Sequence, residues 1–319
     1  MSTKLIPPIT VTDSNLVANN APETSQEDAA TYDPGATYAK GDRVQVAETQ
    51  TIYESAIASN TGNYPPDNLT SAADGEPAKW LKVMSTNPRA MFDGRVGTLT
   101  RGNEPFTAGT GNGLQFEIQP GRVVTDVVLF GLEGSVVTVE MIDPLEGVVY
   151  QRTRSLTATT GINNMYAYLF SPIERREDLA FLDLPNYGTA TVRISIESGG
   201  GMAACGLCLI GQGKVIGLPQ WGLTVGIRDY SRVEDNEFGI TDIVQRGFVR
   251  RANLDLLLEK NQTNGVYRTL VKYRATPAVW VGYEEYEPTL IYGVFINFET
   301  LYPHIAWDDC TLEIRGIQQ

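Results

Sequence analysis

The chain has 319 residues and a formal charge of -13, from 38 acidic against 25 basic residues, which excludes a general binder of nucleic acid because phosphate backbones are held by surplus lysine and arginine. Apolar residues make up 42% and charged residues 20%, a globular balance, while 31 glycines and 17 prolines without a period favour many turns between short strands. No apolar run reaches the ~18 residues of a membrane span, and residues 1–20 lack the basic start and apolar block of a secretory signal, so the expectation is a protein made in the cytoplasm with no membrane insertion.

Residues 1–26 hold Pro7, Pro8, Asn15, Asn19 and Asn20, with only Leu5 to Val11 able to form a strand. This composition predicts an arm or linker, either ordered by lying on a neighbouring subunit or simply disordered.

From Tyr32 the texture changes. Gly35 and Gly41 suit tight turns, Val44 and Val46 alternate as a strand, a turn falls at Gly62 to Pro66, and Tyr38, Tyr53 and Trp80 can form a small aromatic core. The order Tyr32, turn, Tyr38, Gly41-Asp42-Arg43-Val44, a strand carrying Tyr53, a Gly-x-x-Pro turn and then Trp80 resembles, from Tyr32 to Val83, the chitinase-type carbohydrate-binding module, within a unit taken as 27–84. That resemblance implies a sugar stacked on exposed rings. Where the family carries its exposed aromatic pair, this chain has Ala56, Ile57, Ala58 and Ser59, leaving Tyr64 as the stacking candidate, with Trp80 beside it as a second candidate or a core residue. The unit is either a glycan contact or an interaction knob.

Residues 87–94 form a turn-rich joint into a second unit, 85–217. Val123 to Phe130 is nearly continuously apolar. Val137, Val139 and Met141 alternate with polar residues, as do Val192, Ile194 and Ile196, a pattern that predicts an antiparallel β-sandwich. Gly199 to Gly201 reads as a bend. Cys205 and Cys208 form a C-x-x-C within an apolar strand, 202–210, where residues three apart face opposite ways, so they read as small core residues instead of a redox or zinc pair.

The third unit, 218–319, reads as the foundation of the molecule. Leu254, Leu256 and Leu258 alternate as a strand, Asn261 to Gly265 reads as a break, and Val266, Leu270 and Tyr273 keep a helical stripe, predicting one helix over 263–274 with Thr263 or Asn264 as its N-cap. Strands follow at 278–282 and 290–298, the second apolar on both faces, and Leu312 and Ile314 alternate with Glu313 and Arg315. The fold class is mainly β: a small module, a sandwich, and a C-terminal β-rich unit with one helix.

The series Asn87-Pro-Arg-Ala-Met-Phe-Asp93, Asp229-Tyr-Ser-Arg232 with Phe238-Gly239, Arg274-Ala-Thr-Pro-Ala-Val-Trp280, Ile291-Tyr-Gly-Val-Phe295 and Cys310-Thr-Leu-Glu-Ile-Arg-Gly316 resembles tail-tip or baseplate proteins of tailed bacteriophages, over 85–319. The likeness lies in structural residues and implies a place in the virion tail, contacts with copies of the chain in a ring and with other tail proteins, and no active residue.

Chemistry is scarce. His304 is the single histidine, so a His-rich metal site cannot be built from one chain. Asp308 with Asp309, and Glu284 with Glu285 and Glu287, are adjacent acids that could serve glycoside cleavage, but neighbours on a strand point to opposite faces. No phosphate loop, dinucleotide fingerprint or calcium loop is present. The basic group Arg246, Arg250 and Arg251 reads as a solvated strand face or as ion pairs between subunits. The expectation is a non-enzyme without a cofactor: a structural ring component of a phage tail displaying a small module, or alternatively a receptor-binding protein that touches host-surface glycan.

Overall fold

The computed structural model describes residues 2–23, 29–69, 77–158, 164–170, 172, 174–235, 241–283, 286–302 and 306–317. The chain is mainly β, in several antiparallel sheets. Its body is layered. An outer sheet orders Glu104–Pro105, Asn112–Ile118, Thr191–Glu197, Val136–Asp143 and Gly147–Ser155, with Leu16–Asn19 pairing to Asn112–Ile118. Its strands alternate as the sequence does: Val137, Val139, Met141, Val192, Ile194 and Ile196 are all buried, and the residues between them are partly solvated.

A three-stranded middle sheet, Leu179–Phe181, Asp126–Phe130 and Leu207–Gly211, packs beneath. Every residue of its central strand is buried, because Val127 and Leu129 meet the outer sheet while Val128 and Phe130 face the third layer. A continuous apolar run is what a strand covered on both faces requires. The run at 202–210, read as one strand, is two, Ala203–Cys205 and Leu207–Gly211, broken at Gly206. A Cβ there would lie 2.5 Å from the Val96 carbonyl oxygen. The break resets the alternation, so Cys205 and Cys208, expected on opposite faces, both line the core under the outer sheet.

The third layer is a closed barrel. Lys214–Pro219, Thr3–Ile6, Ala278–Val281, Leu290–Leu301, Trp307–Gly316 and Phe248–Glu259 pair in that order, and Phe248–Glu259 returns to Lys214–Pro219 through Leu218 opposite Leu257. Leu254, Leu256, Leu258, Leu312, Ile314 and Trp280 fill its interior. Trp280 Nε1 donates to the Gly293 carbonyl at 3.1 Å. The Lys260–Lys272 helix packs against this core through Val266 and Leu270, as the stripe predicts.

Three expectations are corrected here. Residues 3–6 are no arm on a neighbour: Thr3–Ile6 is a barrel strand between Lys214–Pro219 and Ala278–Val281, and Leu5 and Ile6 are completely buried, Leu5 inside the barrel and Ile6 against the middle sheet. Leu16–Asn19 likewise joins the chain's own outer sheet. Gln26, the arm's end, lies outside the described residues. The helix starts at Lys260 straight from the preceding strand, so 261–265 is helical, and Thr263 sits a turn inside, where its hydroxyl donates to Asp308 Oδ2 at 2.6 Å instead of capping. The junction expected at 217–218 falls inside the barrel strand Lys214–Pro219.

Candidate functional site

Residues 29–85 make a separate small unit with its own core. Ala30–Thr31, Arg43–Val46, Thr51–Ser55 and Trp80–Ser85 pair in that order. Val44, Val46, Tyr53 and Trp80 form the buried centre, with Tyr32, Tyr38, Tyr64 and Leu69 packed against it. The rings interlock: Tyr38 meets Trp80 edge to face at 5.4 Å between centroids, Tyr32 meets Trp80 at 6.1 Å, and Tyr32 meets Tyr64 at 5.8 Å.

Tyr53 lies in the buried module core, and Tyr38 packs against it half-buried. Trp80, also considered for sugar contact, is 0% exposed and donates its indole N–H to the Asn63 carbonyl at 2.8 Å, so no ring face is free for a ligand. Tyr64 is half-buried against the core. Its hydroxyl donates to Glu48 Oε2 at 2.7 Å, and that bond, first among the causes, pushes the phenol up to about 12.

The module is fixed to the body by Asn87. Its side-chain N–H groups donate to the carbonyls of Pro22 and Arg101, and its Oδ1 accepts the Arg101 N–H at 2.8 Å. Thr86 adds a backbone and a side-chain bond to Gln50. The joint is thus a buried latch, with Asn87 only 7% exposed.

A second surface lies beside the barrel. Thr224–Asp229 pairs with the first half of Phe248–Glu259 and has no partner on its other edge among the described residues. Ile227 on it is 70% exposed. The chain then leaves as a two-stranded ribbon, Arg232–Asp235 with Thr241–Val244, whose Val233, Ile243 and Val244 are also exposed. Phe238 and Gly239 lie outside the described residues.

The groups considered for chemistry are dispersed. Asp308 is buried on Thr263, whereas its neighbour Asp309 accepts from Gln220 Nε2 at 2.9 Å, on the other face of the strand. His304, Glu284 and Glu285 lie outside the described residues. Among the described residues no group of three His, Cys, Asp or Glu could hold a metal ion, and no helix is long and apolar enough to cross a membrane. Cys205, Cys208 and Cys310 are free and buried; burial pushes the Cys205 thiol up to about 12 and holds Cys208 well above its ordinary range. These are poor nucleophiles and poor metal ligands. Arg250 and Arg251 are spent on Asp178 and Glu313 of the same chain.

No family model, curated protein or solved structure matches the chain.

Two features escaped the sequence reading. One is barrel closure, which no local pattern announces. The other is Trp221, fully exposed on the turn 220–223, where Pro219 and Gly222 beside a tryptophan were the available signal.

Proposed function

We propose that the chain is a structural component of a phage tail tip or baseplate, working as one of several copies in a ring and displaying the small module. The observation that carries this reading is the Thr224–Asp229 edge, unpaired among the described residues, continuing into a ribbon with exposed Val233, Ile243 and Val244. An open edge strand flanked by exposed aliphatic residues is a template for pairing with another chain, and soluble monomers avoid it. A closed barrel supplies a rigid base for such contacts, and repeating one head-to-tail contact around an axis closes a ring. The resemblance of 85–319 to tail proteins supports the same assignment, with no catalytic role and no cofactor, in the virion tail.

The test is light-scattering mass and electron-microscopy class averages of the purified chain and of Ile227→Lys with Val233→Asp. Closed rings that dissociate to folded monomers in the double variant are expected; a wild type that stays monomeric at all concentrations, alone and with other tail proteins, would remove the reading.

The alternative, a receptor-binding protein, draws on the module's self-contained aromatic core. Of Tyr38, Tyr53, Tyr64 and Trp80, Tyr64 alone is neither wholly buried nor expected from the sequence in the core. Retention on chitin beads that falls in Tyr64→Ala would favour it.

A further inference from the structure

The pairing along Phe248–Glu259 is interrupted in one place. Leu218 and Pro219 stand opposite Leu257 and Leu256, and Thr224 stands opposite Asn253, so four residues, 220–223, face only two, 254 and 255. The two strands Lys214–Pro219 and Thr224–Asp229 thus form one line of pairing along Phe248–Glu259 with a bulge in it. Gln220 N–H holds the bulge to the Asp255 carbonyl at 2.8 Å, and Gly222, at φ +107°, turns the chain back. Bulges re-aim side chains, and this one carries Trp221 out of the fold into water.

A second loop meets it. After Ala278–Val281 the chain presents Tyr283 and Tyr286, with ring centroids 5.1 Å apart. These rings, Trp221, Leu223 and Gln220 line a cavity of about 420 Å³. Tyr286 is 59% exposed. A concave site of this size, walled by aromatic rings with a few polar groups, is the usual form of a small-ligand site.

We infer that this slot binds a neutral pyranose oligosaccharide. Three observations select that ligand. The walls are flat rings more than aliphatic side chains, and a ring face suits the C–H face of a pyranose. The Gln220 carboxamide is pinned through Nε2 to Asp309, which leaves its Oε1 free of any partner among the described residues and able to accept from a sugar hydroxyl. Glu287 follows Tyr286, and Asp309 lies behind Gln220, in a chain of net charge -13, so a uronic or sialic acid would be repelled where a neutral sugar is not. The inference is independent of ring assembly, because none of the slot's residues is among those proposed to pair with a neighbour.

Trp221 also makes the test direct. Of the four tryptophans, Trp80 and Trp280 are buried and Trp307 is half-buried, so acrylamide quenches chiefly Trp221. The full chain is titrated separately with chitotriose, cellotriose and maltotriose up to tens of millimolar, with saturation-transfer NMR on the sugar as a second readout. Saturable protection by at least one of them is expected, with half-saturation of about 1 mM, the strength of a few stacking contacts. Tyr286→Ala should weaken it at least tenfold, Trp221→Ala should abolish the NMR transfer, and Tyr64→Ala should change neither. The inference is overturned if none of the three sugars gives saturable protection or transfer, or if Trp221→Ala retains the transfer. It is equally overturned if Trp221 is protected only by raising protein concentration and Ile227→Lys releases it, since the slot would then be a contact between copies of the chain.

Discussion

Arg250 and Asp178 form an ion pair at 2.5 Å between two layers of the body, Arg250 on a barrel strand and Asp178 at the entry to the middle sheet. Asp178 is 98% shielded from solvent, leaving its side chain only 2% exposed, and its Oδ1 also accepts the Gly131 N–H. Arg250 donates to the Leu290 carbonyl as well. Burial raises the Asp178 carboxyl despite the opposing pull of Arg250, so the folded protein holds that proton more tightly than the unfolded chain. The stability tied to it is complete below the ordinary aspartate range and is lost as pH rises through the raised native value.

Arg250→Ala should therefore cost about 3 kcal/mol at pH 7, where it strands a buried carboxylate, and much less near pH 4, where Asp178 can take up a proton. Asp178→Asn keeps an acceptor for Gly131 and should cost clearly less at pH 7. Urea midpoints at the two pH values decide the matter; an equal loss from Arg250→Ala at both would mean the charge on Asp178 is not what Arg250 offsets.

Deleting residues 1–9 tests the place of the N-terminus. The Thr3–Ile6 strand fills a gap between two barrel strands, and Thr3 Oγ1 donates to the Gly282 carbonyl at 3.2 Å. Without it, two strands lose their ladder partners and Leu5 and Ile6 leave the core, so the truncated chain should be insoluble or melt far below the full chain. A truncated chain with unchanged thermal midpoint would restore the arm reading.

The same segment shows where sequence and fold part company. Strand alternation at Val137 to Met141, Val192 to Ile196 and Leu254 to Leu258 was legible because each strand has one wet and one dry face, and period two records that directly. Thr3–Ile6 spans too few residues to carry a period, and its partners lie more than 200 residues away, at 214–217 and 279–281. Thr263 misled for a related reason: a threonine near a helix start reads as a cap, but a buried carboxylate on another strand took its hydroxyl. In the module, ring identity was legible and ring exposure was not, since a tryptophan looks alike in a core and on a sugar face. Trp80 is buried and Trp221 fully exposed, a difference that residue type alone does not carry.

Gly293 sits at the closest backbone approach in the barrel. It pairs with Ala278 on one side and Gly316 on the other, and a Cβ there would lie 2.1 Å from the Arg315 carbonyl oxygen and 2.7 Å from Gly316 Cα. Both obstacles are backbone, which cannot rotate aside. Gly293→Ala should cost at least about 2 kcal/mol by forcing two strands apart. Gly226→Ala, on the free edge strand with open space at its Cβ, is the control and should cost little. Chemical denaturation of the two variants against wild type measures both; equal, small losses would show that the barrel relaxes around a methyl group.

The module should fail separately from the body. Its buried centre, Val44, Val46, Tyr53 and Trp80, is distinct from the clusters that hold the sandwich and the barrel, and the Asn87 latch bonds to the body through backbone atoms of Pro22 and Arg101. Trp80→Ala removes the largest ring of that centre together with its bond to Asn63 and should cost the module about 3 kcal/mol or more, enough to unfold so small a core. Proteolysis should then digest 29–85 while an N-terminal fragment carrying Thr3–Ile6 and a fragment beginning near Asn87 survive together, still paired, with the body's melting transition in place. Tyr64→Phe breaks only the bond to Glu48 and should leave the digestion pattern of the wild type while lifting the ~12 phenol ionisation out of the ultraviolet titration. If Trp80→Ala instead lowers the melting transition of the whole chain by the same amount as it destabilises the module, the latch transmits the loss, and module and body form one cooperative unit.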